Sequence, residues 1–204
     1  MKEKYIEDLR EIKKMMNLST RFISLSGLSG VSIGIIALFG VWFADHIVFK
    51  DQNYLVADRI ELSDKSITHI LLIAIGTLLL STITAIFFTV KKSKQQNQNV
   101  WNHQTKRLLI NLFIPLIAGG LLCFILLFKG FIGLLPPLTL MFYGLALVNA
   151  SKYTLPEIRS LGLFEIVLGL IAVQLIDYGL FLWAFGFGIL HIAYGLFIQR
   201  KYQS

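Results

Sequence analysis

Long apolar runs, separated by short polar segments, make up most of this chain. Six of them approach the ~20 residues that a helix needs to cross the hydrocarbon core of a bilayer. None shows the strict alternation of a membrane barrel strand, and backbone groups in lipid must bond within their own segment, so the runs predict helices. The expected fold is all-α, a polytopic membrane protein with spans at residues 22–44, 67–90, 108–128, 130–150, 158–176 and 178–198.

The N-terminal segment has a different pattern. Its apolar residues Tyr5, Leu9, Ile12 and Met16 are spaced four, three and four apart among charged residues. This spacing predicts a short amphipathic helix that lies in the membrane interface, packs under the bundle or self-associates. The expected organisation is a cytoplasmic amphipathic helix at 1–21, a six-helix transmembrane domain at 22–198 and a cytoplasmic tail at 199–204.

Composition agrees with this pattern. The chain is 55% hydrophobic and 15% charged, with a mean hydropathy of +0.69, whereas soluble domains carry roughly 25% charged residues. A water-soluble globular domain is therefore excluded. The single cysteine, Cys123, lies within an apolar run, so no intramolecular disulfide is expected.

The net charge of +7 and the pI near 9.5 raise the question of a nucleic-acid partner. With the N-terminus placed inside, all but four of the 19 Lys and Arg residues fall on the cytoplasmic face; the four are Lys50, Arg59, Lys65 and Lys129. This bias is the positive-inside pattern, and it explains the charge without nucleic acid. We expect a bacterial inner-membrane location with both termini cytoplasmic. The expected partners are the lipid bilayer and a second copy or another protein at the cytoplasmic face.

An internal repeat is indicated when residues 27–37 are aligned with 162–172. Gly27, Leu28, Gly34, Ile36 and Ala37 then meet identical residues, and the following spans also align, 74–91 over 184–201. A true duplication would relate the first and last helix pairs as a parallel repeat. The alternative is chance similarity between low-complexity apolar segments.

Two ionisable residues at membrane depth are the main candidates for function. Glu165 and His191 each lie about seven residues from the cytoplasmic end of a span, so at 1.5 Å per residue both are roughly 10 Å deep. Each shares a helical face with small residues, which favours an orientation into the bundle. We expect the two to interact in a polar ligand site reached from the cytoplasm. The alternative is a structural hydrogen bond between the helices.

Other polar residues in the same half of the bundle extend the candidate ligand site: Asn111, Tyr143, Asn149 and Tyr194. They would line a vestibule, or else satisfy backbone groups and meet the headgroups. The fourth span contains Pro136 and Pro137, which indicate either a broken helix beside a binding site or a late helix start after a turn at Lys129 and Gly130.

Several chemistries lack support in the sequence. Four scattered histidines and one cysteine form no metal-ligand spacing. Phosphate loops, dinucleotide-binding glycine patterns, HExxH helices and GxSxG elbows are absent. We therefore assign no metal, no cofactor and no catalytic residue.

Three segments carry a resemblance to known proteins: FISLSGLSGV at 22–31, LALVNASKYT at 145–154 and GFGILHIAYG at 186–195. With them, the whole chain resembles a family of small bacterial six-helix inner-membrane proteins to which no biochemical function is assigned. Its hydropathy pattern is also similar to that of acid-resistance membrane proteins of the HdeD type. Neither resemblance supplies catalytic residues.

Three functional hypotheses follow. The first is a non-enzymatic membrane protein that binds or transports a small molecule, or senses the membrane, through the Glu165–His191 site. The second is a structural or regulatory partner that docks another protein at its basic cytoplasmic face. The third is an intramembrane enzyme with Glu165 and His191 as an acid/base pair. The first and third require a hydrated site, and the second a dry, packed bundle.

Overall fold

The computed structural model describes residues 26–50, 58–95 and 100–203, together with Ile6 and Val56. Regular structure in this part of the chain is entirely helical, which confirms the all-α prediction there. The predicted amphipathic helix at 1–21 lies outside the described residues, apart from Ile6. The helices are α1 (Gly27–Ala44), α2 (Asp64–Gln95), α3 (His103–Phe128), α4 (Leu135–Ala150), α5 (Glu157–Gln174), α6 (Gly179–Trp183) and α7 (His191–Gln203).

Wider and tighter turns extend these helices. A π-helical turn, Asp45–Phe49, continues α1, and a second, Ala184–Leu190, joins α6 to α7. Short 3-10 turns cover Ile132–Leu134, Ser151–Tyr153 and Ile176–Tyr178.

Five helical segments are long and apolar enough to cross a membrane: Gly27–Phe49, Asp64–Gln95, His103–Phe128, Ile132–Tyr153 and Ile176–Tyr202. The remaining predicted span corresponds to α5, which has 18 residues and includes three charged ones, Glu157, Arg159 and Glu165. The described helices therefore fit a multi-pass membrane protein.

The helices form a layered bundle. α1 packs against α2 on one side and against α7 and the turn Ala184–Leu190 on the other. α4 packs between α3 and α5, and α5 also contacts α6 and α7. The most apolar stretch of α2 contains no buried residue, so its side chains are placed to meet lipid. The outer helices α2 and α3 thus flank a core built from α1, α4, α5 and the last span.

Several helix ends differ from the sequence-based bounds. The first span continues through its π-helical turn to Phe49, five residues beyond the predicted end. α2 continues to Gln95 and has 32 residues, about 48 Å at 1.5 Å per residue. α3 starts at His103 because Asn102 caps it, accepting the backbone N–H of Thr105 at 2.8 Å. Hydropathy marks the apolar centre of a helix, and caps and polar turns set its ends.

The turn between α3 and α4 determines where α4 begins. Gly130 has φ +84°, its N–H bonds Leu127 O, and the N–H of Phe131 bonds Leu126 O, which together make a Schellman motif. Pro136 and Pro137 then occupy the first turn of α4, where a missing N–H costs no helical bond. The late helix start is therefore confirmed, and the broken-helix interpretation is wrong.

Glycines let the core helices approach closely. A Cβ on Gly144 of α4 would lie 2.6 Å from the carbonyl oxygen of Gly162 on α5. A Cβ on Gly34 of α1 would lie 2.5 Å from the carbonyl oxygen of Gly188. Both pairs bring helix backbones together as small residues do in membrane bundles. These two contacts fix α5 against α4, and the last span against α1.

Candidate functional site

Glu165 lies in the middle of α5, on the face that meets α4 and the last span. Its neighbours on this face, Gly162, Gly169 and Ala172, are all buried, as the small-residue pattern predicts. The Glu165 side chain itself has 0% exposure. The expectation that it points into the bundle is confirmed.

Gly186 makes the room for this carboxylate. It belongs to the π-helical turn Ala184–Leu190, and a Cβ added there would lie 2.5 Å from Glu165 Oε2 and 2.7 Å from Leu140 Cδ2. The carboxylate thus lies directly against the backbone of the last span. A larger residue than glycine would displace one of these neighbours.

His191 begins α7 and is 3% exposed. Its Nδ1 lies 3.0 Å from the carbonyl oxygen of Gly186, and its Nε2 lies 2.8 Å from the hydroxyl of Tyr143 on α4. A carbonyl oxygen only accepts hydrogen bonds, so the proton of this contact is on Nδ1. In the neutral ring, Nε2 then accepts from the Tyr143 hydroxyl.

Glu165 and His191 meet, as their shared depth predicts. His191 Nδ1 lies 3.5 Å from Glu165 Oε1. A charge-assisted hydrogen bond between these groups would be about 2.7–2.9 Å long, so the two are adjacent but not bonded in this way. Neither carboxylate oxygen of Glu165 has a hydrogen-bond partner within the described part of the chain. The Nδ1 proton belongs to Gly186, and the carboxylate is left unpaired.

Aromatic side chains surround the histidine. Trp183, Phe187 and His191 follow one another at intervals of four residues, with ring centroids 4.6 Å and 5.8 Å apart. A π-helical turn has more than four residues per turn, so residues four apart lie nearly above one another. Tyr143 packs against Phe187 from α4, with centroids 4.8 Å apart. This stack holds the imidazole plane in place.

The stack is joined to α4 by a second polar contact. Trp183 Nε1 donates to Thr139 Oγ1 at 3.0 Å, and that hydroxyl donates to the carbonyl of Pro136 at 2.8 Å. The predicted site residues do not include Thr139, Trp183, Phe187 or Gly186. The four-residue spacing of Trp183, Phe187 and His191 was a usable signal, whereas the role of the Gly186 carbonyl depends on backbone geometry.

The other predicted site residues lie in separate contacts. Asn149 Nδ2 donates to the backbone carbonyl of Asn111 at 3.0 Å, and Asn111 Nδ2 donates to the carbonyl of Arg107 at 2.8 Å. The Asn149 amide thus joins α4 to α3, and the Asn111 amide bonds within α3. Tyr194 packs against the buried cluster that contains Leu147, Leu161 and Ile198. The structure therefore groups Tyr143 with Glu165 and His191, and the assignment of all six residues to a ligand site stays a prediction.

A second charged contact joins the start of α5 to the end of α7. Lys201 Nζ donates to Glu157 Oε1 at 2.6 Å, and the Tyr202 hydroxyl donates to the same oxygen at 3.0 Å. Burial on its own would raise the pKa of Glu157, but the hydrogen bonds it accepts outweigh burial and lower that pKa below its ordinary value. Glu157 is therefore an ionised, paired carboxylate, in contrast to Glu165.

Comparison with known proteins adds no relative: no family model, no curated protein and no solved structure matches this chain. Among the described residues, no group of three or more His, Cys, Asp or Glu side chains is arranged to hold a metal ion. The candidate site is defined by its own geometry.

Proposed function

We propose that this protein binds or transports a small molecule, or senses the membrane, without catalysing a reaction. The polar site that does so contains Glu165, His191 and Tyr143, with Asn111, Asn149 and Tyr194 in its approach. The observation that carries the proposal is the Glu165 carboxylate, which is fully buried and accepts no hydrogen bond in the described structure. Ionisable groups at such depth are costly, and they mark ligand or ion pathways by default.

A purely structural role accounts less well for this carboxylate. A side chain that ties helices together does so through hydrogen bonds, as Asn149 does with the Asn111 carbonyl. Glu165 makes none within the described residues, yet it occupies space cleared by Gly186. An unpaired buried acceptor lowers stability, so its presence is best explained by a group that binds there.

We also propose the setting of this site. The bundle has six membrane-spanning helices with α5 as the fifth, lies in a bacterial inner membrane and keeps both termini cytoplasmic. The excess of Lys and Arg on one set of loops supports this orientation. The alignment of 27–37 with 162–172 supports a parallel repeat of the first and last helix pairs, and the resemblance to six-helix inner-membrane proteins supports the location.

Thiol labelling in membranes tests whether the site opens to small molecules. In a Cys123→Ser background, Glu165→Cys places a thiol in the site, and Leu161→Cys places one a turn away in the packed core. Both positions are nearly or fully buried, at 0% and 4% exposure. N-ethylmaleimide is expected to label the first thiol much faster than the second. A charged, impermeant methanethiosulfonate reagent is expected to reach it only from the cytoplasmic side.

Equal protection of the two thiols would overturn the proposal, because the site would then be as closed as the core around Leu161. Labelling from the external side alone would overturn the cytoplasmic entry. The Cys123→Ser protein, which contains no thiol, provides the background level of reaction in each membrane preparation.

A second candidate function is that of a structural or regulatory partner that docks another protein at its basic cytoplasmic face. The observation that favours it is the burial of the whole pair, with Glu165 at 0% and His191 at 3% exposure. A dry, closely packed bundle is what this function predicts. Protection of both thiols in the labelling experiment is the result it requires.

A further inference from the structure

The Glu165 carboxyl group has an unusual electrostatic position. It lies beside His191, is fully buried, and neither of its oxygens accepts a hydrogen bond in the described structure. An ionised carboxylate there would lose its hydration without gaining the bonds that compensate for that loss. The neutral acid avoids most of this cost, because an uncharged carboxyl group is far less strongly hydrated. The environment therefore favours a state in which the pair has no net charge.

The geometry around His191 shows which partner has the proton. The imidazole Nδ1–H donates a hydrogen bond to the carbonyl oxygen of Gly186 at 3.0 Å. Its Nε2 accepts a hydrogen bond from the Tyr143 hydroxyl at 2.8 Å. Both contacts are complete with a neutral ring. An imidazolium paired with a carboxylate would draw Nδ1–H toward Glu165 at about 2.7–2.9 Å, and the separation is 3.5 Å. Because His191 is neutral, the proton that leaves the pair without net charge is on Glu165.

We propose that Glu165 is an exchangeable proton-binding site, and that the hydrogen bonds of His191 to Gly186 and Tyr143 keep the imidazole beside it neutral. The inference rests on the proposed function only in using the same site: it names the proton as the site's ligand. Glu165 is fully buried and His191 nearly so, and the proton of Glu165 therefore lies within the packed core.

Proton uptake balances without any other reactant. A proton from the medium forms the O–H bond of Glu165, while His191 keeps its proton on Nδ1. Release breaks the same O–H bond and returns the proton to the medium.

Two ionisable groups face Glu165 from the helices packed against it in the described structure. They are Tyr143 on α4 and His191 at the start of α7. On α5 itself, Glu157 is two helical turns away and is paired with Lys201. The proton of Glu165 is therefore controlled by one imidazole and one phenol.

Infrared spectroscopy of the full chain in lipid vesicles tests the proposal. The wild type is expected to show a carboxylic-acid C=O band at neutral pH that shifts in D₂O and disappears reversibly at high pH. Glu165→Gln is expected to lose this band. Glu157→Gln is the matched control, and it is expected to keep the band because Glu157 is ionised in its contact with Lys201.

Carbon-13 NMR of glutamate-labelled wild-type protein gives the same information without a variant, in case Glu165→Gln fails to fold. A single acid-type carboxyl resonance at neutral pH would support the proposal. Only carboxylate-type resonances would overturn it, and so would an acid band that never responds to pH.

The two proposals fail in different ways. If the acid band titrates but the Glu165→Cys thiol is as protected as the Leu161→Cys thiol, the proton site is supported and small-molecule access is contradicted. A labelled thiol without an acid band would keep the ligand site and remove the proton.

Discussion

The hydroxyl of Tyr143 on α4 and Nε2 of His191 on α7 are 2.8 Å apart, and they connect residues 48 positions apart in the chain. This bond links α4 directly to the last span beside Glu165, one helical turn from the Trp183–Thr139 hydrogen bond. It fixes the imidazole tautomer, since Nδ1 already donates to the Gly186 carbonyl. Contacts on α4 and on the last span therefore together set the orientation of His191 beside Glu165.

Removal of this hydroxyl is expected to destabilise the bundle. Tyr143→Phe leaves a buried Nε2 without a donor, and membrane side-chain hydrogen bonds contribute about 0.6–1.7 kcal/mol. We expect a lower temperature of unfolding in detergent, measured by scanning fluorimetry. Tyr178→Phe, at a residue 62% exposed, is the control and should leave that temperature unchanged. Equal stability of both variants would contradict the hydrogen bond.

Gly186 is expected to be intolerant of alanine. In Gly186→Ala the new methyl group would meet Glu165 Oε2 at 2.5 Å and Leu140 Cδ2 at 2.7 Å. Overpacking of this kind costs about 1–3 kcal/mol. Gly76→Ala on α2 is the matched control, because nothing lies within 4 Å of a Cβ there. Unfolding in detergent should show a loss for Gly186→Ala and no loss for Gly76→Ala, and the reverse order would refute this packing.

The contact between Glu157 and Lys201 is expected to make stability depend on acid. The pKa of Glu157 is lowered in the folded state, so the contact contributes fully above its ordinary value of 4.5. This contribution is lost as the pH falls through the lower, folded-state pKa. Unfolding curves measured from about pH 6 to about pH 3, which brackets glutamate titration, should fall more steeply for wild type than for Glu157→Gln. Parallel curves would argue against the contact.

Membrane orientation is testable with two single-cysteine variants. In a Cys123→Ser background, Lys129→Cys lies at the turn after α3 and Lys152→Cys at the turn after α4, and both positions are exposed. With both termini cytoplasmic, an impermeant maleimide should label the first variant on intact cells. The second should react only after permeabilisation. The opposite pattern would invert the proposed orientation.

The sequence predicted the helical class and the meeting of Glu165 with His191, for a simple physical reason. Apolar length and small-residue faces are local properties, and two polar groups at equal depth in neighbouring helices have few other partners. The prediction grouped Asn111 and Asn149 with the same site, and in the structure their side-chain amides donate to backbone carbonyls of α3. Polarity alone does not distinguish a ligand contact from a side chain that satisfies a carbonyl.

Other features of the helices could not be predicted from the local sequence pattern. The π-helical turn Ala184–Leu190 has the apolar composition of an ordinary α-helical span, and its glycines Gly186 and Gly188 are buried. Similarly, α2 continues five residues past the predicted end at residue 90, where lysines replace apolar side chains. Hydropathy measures transfer to lipid, and a helix continues into water as long as its backbone bonds are satisfied.

That π-helical turn also changes how the last span divides its contacts. Before the turn, Trp183 faces α4 through Thr139, and after it, Gly195 packs against Gly27 on α1. Each residue of an α-helix advances by about 100°, so a turn with one additional residue rotates everything downstream out of phase. The turn therefore lets the first half of the last span contact α4 and the second half contact α1. Deletion of a single residue within 184–190 would swing His191 away from Glu165 and the Gly195 face away from α1 together.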